Sequence, residues 1–115
     1  MDERAAGLDD IFLVSVEQLS GGSARITCVG KLDVATTNSF ARALEQALET
    51  APDSLVIDCT DLSFISIDGL HLLLDTAERC RSLGIAVSVD LDSNGRRLME
   101  VLDMPQPLVG SGPHP

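Results

Sequence analysis

The chain has 115 residues, 44% of them hydrophobic, which is enough for one domain with one buried core. Its net charge is −10, and its eight Lys and Arg residues are not clustered, so the composition argues against binding to nucleic acid or to an anionic membrane surface. Aromatic residues make up only 3%, with no Trp or Tyr, which also disfavours binding by base or sugar stacking.

The N-terminal part of the chain predicts an antiparallel hairpin. Residues 1–10 are charged and are expected to form a flexible lead-in. Alternation of apolar and polar residues predicts one strand over residues 11–17 and a second over 24–29. The Gly-containing segment between them, residues 20–23, predicts the turn that joins them.

The next segment predicts a loop and a helix. Gly30 to Asp33 follow the second strand and are expected to form a loop. Thr36 or Thr37 is suited to cap a helix that runs to about Thr50. Five apolar residues of this helix are expected to be buried: Phe40, Ala43, Leu44, Ala47 and Leu48.

The middle of the chain predicts a buried strand, a polar turn and a second helix. The strand covers residues 55–59, and the helix covers 67–83. Ser66 is a suitable N-cap, Asp68 lies in the first turn, where the helix dipole favours a negative charge, and Gly84 ends the helix. The buried face of the helix is expected to hold Leu70, Leu73, Leu74, Ala77 and Cys80.

The last part of the chain predicts one more strand and one more helix. The strand covers residues 85–89, and residues 92–95 form a turn and cap. The helix covers residues 96–102 and is expected to bury Leu98, Val101 and Leu102. Residues 110–115 are expected to be a disordered tail.

The element order β-β-α-β-α-β-α predicts a single α/β domain over residues 11–109. Strands linked by helices run parallel, so a mixed, mostly parallel sheet of about four strands is expected, with an N-terminal hairpin and helices packed on it. The acidic surface favours a monomer when the protein is free.

No residue pattern indicates catalysis. The two histidines, His71 and His114, have no evident Ser or Cys partner, so no catalytic residues are predicted and the protein is not expected to be an enzyme. Asp58, Asp61 and Asp68 match no metal-binding loop, so no metal and no cofactor are predicted.

The cysteines and the N-terminus favour a cytoplasmic protein. Cys28, Cys59 and Cys80 lack the spacing of metal ligands and are expected to be small buried hydrophobes. There is no apolar run of transmembrane length, and the N-terminus leads into no signal-type segment.

Two segments of the chain carry a resemblance to a known family. The first has the pattern Gly-x-Leu-Asp over residues 30–33. The second combines a strand ending in Asp58, the pair Phe64-Ile65 and the helix start Gly69-Leu70. In this order and spacing they resemble the STAS domain of bacterial anti-sigma factor antagonists, over residues 11–103.

The resemblance implies a phosphorylation switch, and the chain departs from it at the acceptor. In such antagonists a Ser at the helix start is phosphorylated by the anti-sigma factor, which is a serine kinase of the histidine-kinase-like ATPase fold. Here Ile67 stands at that position, so the usual switch is expected to be absent. Ser66 lies one residue away. The sequence alone allows two roles for it, substitute acceptor or simply N-cap.

The resemblance also implies a protein partner, the anti-sigma factor, bound at the second helix start and the Gly30–Thr36 loop. The expected contact residues are Lys31, Leu32, Asp33, Ser66, Ile67, Asp68, Gly69 and His71. For Ile67, an exposed apolar contact and packing against Phe64 are equally compatible with the sequence.

Three hypotheses follow from the missing acceptor. The chain is an antagonist that binds its anti-sigma factor constitutively, or it is regulated at its cysteines, or it is a divergent STAS adaptor or small-ligand-binding module outside sigma-factor control. The first is the principal prediction.

Overall fold

The computed structural model describes residues 12–101 of the chain. The elements, in chain order, are β1 (Phe12–Leu19), β2 (Ser23–Leu32), α1 (Thr37–Leu48), β3 (Ser54–Ile65), α2 (Ile67–Ser82), β4 (Ala86–Leu91) and α3 (Ser93–Val101). The predicted order of strands and helices is confirmed. The predicted lead-in and tail, and both predicted domain ends, lie outside the described residues.

The four strands form one sheet in the order β1-β2-β3-β4. β1 and β2 are antiparallel and are joined by a 3₁₀ turn, Ser20–Gly22, whereas β2, β3 and β4 are parallel. The mixed, mostly parallel α/β fold is therefore confirmed. The carboxyl ends of β2, β3 and β4 lie at one edge of the sheet, which we call the carboxyl edge.

The helices cover one face of the sheet. Side chains alternate along each strand, and those on the covered face form the core with the inner faces of the helices. On the other face none of the described side chains is fully buried, and Leu13 is 61% exposed. Cys28, Cys59 and Cys80 are all buried, as predicted.

β2 and β3 are longer than the sequence predicted. The predicted loop at residues 30–33 is strand as far as Leu32, and the predicted turn after Cys59 is strand as far as Ile65. The two segments pair with each other, with irregular register on either side of Gly30, whose φ is 107°. This long-range pairing provides hydrogen-bond partners for the backbone N–H and C=O groups of segments where the local sequence indicated turns.

α1 and α2 match the predicted helices in position and differ in detail. Leu48 and Leu74 are half-buried rather than buried, whereas Thr76 is buried and donates its hydroxyl to the Leu72 carbonyl at 2.8 Å. Helix α2 ends as predicted, with Gly84 at φ 79° just beyond its last turn.

The last helix begins three residues earlier than predicted. Asp92 caps it, accepting a 2.8 Å hydrogen bond from the backbone N–H of Gly95. In α3, Gly95 and Met99 are buried and Leu98 is half-buried. Val101 was predicted to be buried and is 74% exposed, and Leu102 lies outside the described residues.

Candidate partner-binding site

The two segments predicted to contact a partner meet at the carboxyl edge. Leu32 and Ile65 are paired at the ends of β2 and β3. The backbone N–H of Ser66 donates to the carbonyl of Leu32 at 3.0 Å. The loop after β2 and the start of α2 are therefore held side by side by backbone hydrogen bonds.

The start of α2 is fixed by a side-chain cap. Ser66 is extended, with φ −88° and ψ 171°, and its Oγ accepts a hydrogen bond from the N–H of Gly69 at 3.0 Å. Asp68 lies in the first turn, where the helix dipole stabilises its negative charge. The predicted roles of Ser66 as N-cap and of Asp68 as a first-turn acid are confirmed.

Two of the predicted contact residues are buried. Leu32 is 0% exposed, and Gly69 is buried against it. A Cβ atom on Gly69 would lie 2.6 Å from the Leu32 carbonyl oxygen and 3.0 Å from Cγ1 of Ile65. Neither Leu32 nor Gly69 has surface accessible to a partner, and both instead hold the helix start against the end of β2.

The remaining residues of the helix start are exposed. Ile67 is 51% exposed, and Asp68 and His71 are exposed as well. Sequence reasoning did not identify Phe64 and Val34 as surface residues, yet they are 50% and 71% exposed in the segments that meet here. No local signal separates Phe64 from the buried Leu62, because the irregular register of β3 decides which side chain points inward. Ile67 is available for contact.

The loop between β2 and α1 is a closed turn organised by Thr36. The Thr36 hydroxyl donates to the carbonyl of Lys31 at 2.9 Å and accepts from the N–H of Asp33 at 3.0 Å. The carboxylate of Asp33 accepts from the N–H of Ala35 at 3.0 Å. Asp33 is half-buried and orders the loop, which leaves Val34 as its most exposed apolar side chain.

The carboxylates near this edge do not form a metal site. Asp58 accepts hydrogen bonds from the N–H and the hydroxyl of Thr60, at 3.0 and 2.7 Å, and these bonds lower the pKa of Asp58. Among residues 12–101 no group of three or more His, Cys, Asp or Glu side chains is placed to hold a metal ion.

The thiols are shielded. Contact with the Cys28 thiol and burial raise the pKa of Cys59, and burial raises the pKa of Cys80. Because a thiolate is the reactive form of cysteine, these thiols lack the exposure and the charge that regulation at cysteine needs.

The part of the chain that the structure describes contains no helix long and apolar enough to cross a bilayer.

Comparison with known proteins identifies the family. A family model of the STAS domain matches residues 14–104. The chain belongs to the STAS domain family. Comparison with curated protein sequences finds no match.

Solved structures of STAS domains have the same fold. An anti-sigma factor antagonist from Mycobacterium paratuberculosis is similar with a TM-score of 0.73 and 23% identity, over 82% of this chain and 80% of that one. The unphosphorylated anti-sigma factor antagonist SpoIIAA is similar with a TM-score of 0.65 and 14% identity, over 88% and 90%. A STAS domain antagonist from Rhodobacter sphaeroides is similar with a TM-score of 0.57 and 21% identity, over 76% and 91%.

Proposed function

We propose that this STAS domain is an anti-sigma factor antagonist that binds an anti-sigma factor at the carboxyl edge and so releases a sigma factor. The contact surface consists of Val34, Phe64, Ile67, Asp68 and His71, which we call the helix-start surface. The observation that carries the proposal is the half-exposed Ile67 on a backbone fixed by the Ser66 cap and by the packing of Gly69. The partner is a serine kinase of the histidine-kinase-like ATPase fold, as the family resemblance implies.

The antagonist is active without a phosphorylation switch at this site. Ile67 has no hydroxyl to accept a phosphoryl group. The Ser66 hydroxyl is half-buried and engaged as the N-cap, which disfavours it as a substitute acceptor. Without an acceptor at position 67, the exposed helix-start surface stays able to bind its partner at all times. This role also implies a cytoplasmic protein, since the sigma factor acts there.

The proposal is tested by replacing an exposed apolar residue at each end of α2. Ile67→Asp places a charge in the proposed contact and is expected to weaken binding of the anti-sigma factor at least about tenfold, because a buried unpaired charge is costly at an interface. Leu83→Asp makes the same change at the other end of the helix, at a leucine that is 58% exposed, and is expected to leave binding unchanged. Both variants should retain the wild-type circular dichroism spectrum.

The measurement is co-purification from the native cytoplasm with intact mass recorded on the bait. We expect wild type and Leu83→Asp to retain a histidine-kinase-like ATPase, Ile67→Asp to lose it, and the bait to be unmodified. Failure of wild type to retain such an ATPase would contradict the proposed function. A bait that is one phosphate heavier would contradict constitutive activity and revive Ser66 as a substitute acceptor.

Two further variants rank the contributions to this surface. Asp68→Lys reverses an exposed charge at the helix start and is expected to weaken binding while the fold survives. Asp33→Ala is expected to weaken binding less, because Asp33 acts on the loop backbone through Ala35 rather than on the partner. Affinities measured by titration calorimetry with the captured ATPase would give this order, and a larger loss for Asp33→Ala would contradict it.

A further inference from the structure

A cavity lies at the carboxyl edge between the ends of β3 and β4 and the start of α3. Its volume is about 330 Å³, at the lower end of the range for small-molecule sites. Its walls are mostly apolar, with contributions from Leu62, Phe64, Ile65, Leu91 and Leu98. Phe64 and Leu98 are only partly buried, so the cavity opens to solvent between the strand end and the helix.

Cys59 also lines this cavity. It is 1% exposed, and contact with the Cys28 thiol together with burial raises the pKa of Cys59. Burial therefore favours the uncharged form of this thiol. The inner part of the cavity consequently offers an apolar and uncharged surface.

The charged group that lines the cavity is an acid. Asp92 is half-buried, and one of its carboxylate oxygens accepts the 2.8 Å hydrogen bond from Gly95 that caps α3. Ser63 adds a hydroxyl, which donates to the carbonyl of Gly30 at 3.2 Å. Among the described residues no Lys or Arg lines the cavity.

We propose that this cavity binds a small aliphatic or aromatic amine, with its apolar part between Leu62 and Leu98 and its ammonium group beside Asp92. An apolar chain gains from the burial that the walls provide. A positive head group gains from the nearby carboxylate, whereas a carboxylate or phosphate head group meets like charge and finds no cation in the walls. The negative charge of Asp92 at the cavity therefore favours ligands with a positive head group.

The test uses three probes of equal chain length, hexylammonium, 1-hexanol and hexanoate, added to the full chain labelled with ¹⁵N. Shifts of backbone amide resonances report binding at each residue. We expect saturable shifts centred on residues 62–65 and 91–98. We expect hexylammonium to bind about tenfold more tightly than hexanoate at low salt, with 1-hexanol between them.

Two variants with a matched control assign the binding to this cavity. Leu98→Trp fills the cavity and is expected to weaken binding of hexylammonium at least about tenfold, at unchanged net charge. Leu13→Trp makes the same substitution at a leucine that is 61% exposed on the uncovered face of the sheet and does not line the cavity, and it is expected to leave binding unaltered. Asp92→Asn keeps an oxygen acceptor for the helix cap, removes the charge, and is expected to reduce the preference for amine over alcohol about threefold or more.

Three results would overturn the proposal. The first is the absence of saturable shifts in the full chain with any probe. The second is hexanoate binding as tightly as hexylammonium, which would remove the basis for an amine. The third is equal binding by the Leu98→Trp and Leu13→Trp variants, which would mean that the amine is attracted only by the overall negative charge. None of these outcomes depends on the anti-sigma factor, so this proposal and the proposed function are tested separately.

Discussion

The starts of α1 and α2 lie side by side at the carboxyl edge and are fixed in different ways. At α2, Ser66 caps the helix directly, and Gly69 is packed against a backbone carbonyl of β2. At α1, Thr36 occupies the cap position but makes no side-chain cap bond, and its hydroxyl instead closes the preceding turn. One start is therefore fixed by the helix and its packing, and the other by the loop that leads into it.

This difference separates the residues that determine geometry from those that are free to vary. At α2 the inward side tolerates no added atom, whereas Ile67 and Asp68 on the outward side are exposed. At α1 the hydroxyl of Thr36 orders residues on both sides of it. The comparison predicts that stability is most sensitive at Gly69, less sensitive at Thr36, and least sensitive at the Ser66 cap.

The largest effect is expected for Gly69→Ala. The new Cβ would lie 2.6 Å from the Leu32 carbonyl oxygen, so the helix start must move, at a cost of about 2–3 kcal/mol in the free energy of unfolding. Denaturant unfolding measures this cost. Gly84→Ala is the matched control, because its Cβ meets nothing within 4 Å and only the φ of 79° is strained, at about 1 kcal/mol. Equal costs for the two variants would mean that the close contact at Gly69 has no energetic consequence.

A smaller effect is expected for Thr36→Val, which keeps the shape of the side chain and removes its hydroxyl. The Lys31 carbonyl and the Asp33 N–H lose their partner in a partly buried turn, at a cost of about 1.5 kcal/mol. Thr36→Ser retains the hydroxyl and should recover most of this loss. Denaturant unfolding of the two variants tests whether the Thr36 hydroxyl stabilises the turn. A serine variant as unstable as the valine variant would contradict this role.

The smallest effect of the three is expected for Ser66→Ala. Removing the acceptor for the Gly69 N–H costs about 1 kcal/mol, the usual value for an N-cap. Ser66→Asp restores an acceptor and adds a charge that the helix dipole favours, so its stability should be close to wild type. Thermal or denaturant unfolding compares the two. An aspartate variant less stable than the alanine variant would show that the capping interaction is not what Ser66 contributes.

Much of the fold was predictable from local pattern. The strand alternation from Phe12 to Val16 and the helical spacing of Leu70, Leu73 and Ala77 identify the buried faces, which the structure confirms. The N-cap at Ser66 and the end of α2 at Gly84 could also be predicted, because each depends on residues within one helical turn.

The errors occur where distant segments decide the outcome. Residues 30–32 and 60–65 contain Gly and polar residues, so locally they indicate turns, yet they pair with each other as strands. Gly69 matched the contact motif, but its burial depends on Leu32, which is remote in sequence. Arg79 of α2 pairs with Glu45 of α1, with Nη1 and Oε2 2.6 Å apart, and this contact joins two helices that are remote in sequence. The exposure of apolar residues such as Phe64 could likewise be predicted only with knowledge of the register in which β3 pairs with β2.

The extension of β2 and β3 beyond the end of β4 has a thermodynamic consequence. β4 pairs with β3 only as far as Cys59, whereas β2 and β3 continue together as a ribbon to Leu32 and Ile65. The backbone entropy of this edge is therefore lost when the chain folds and not when a partner arrives. Exchange of the exposed side chains on this ribbon and its adjoining helix would then alter the choice of a partner without altering the backbone geometry that a partner meets.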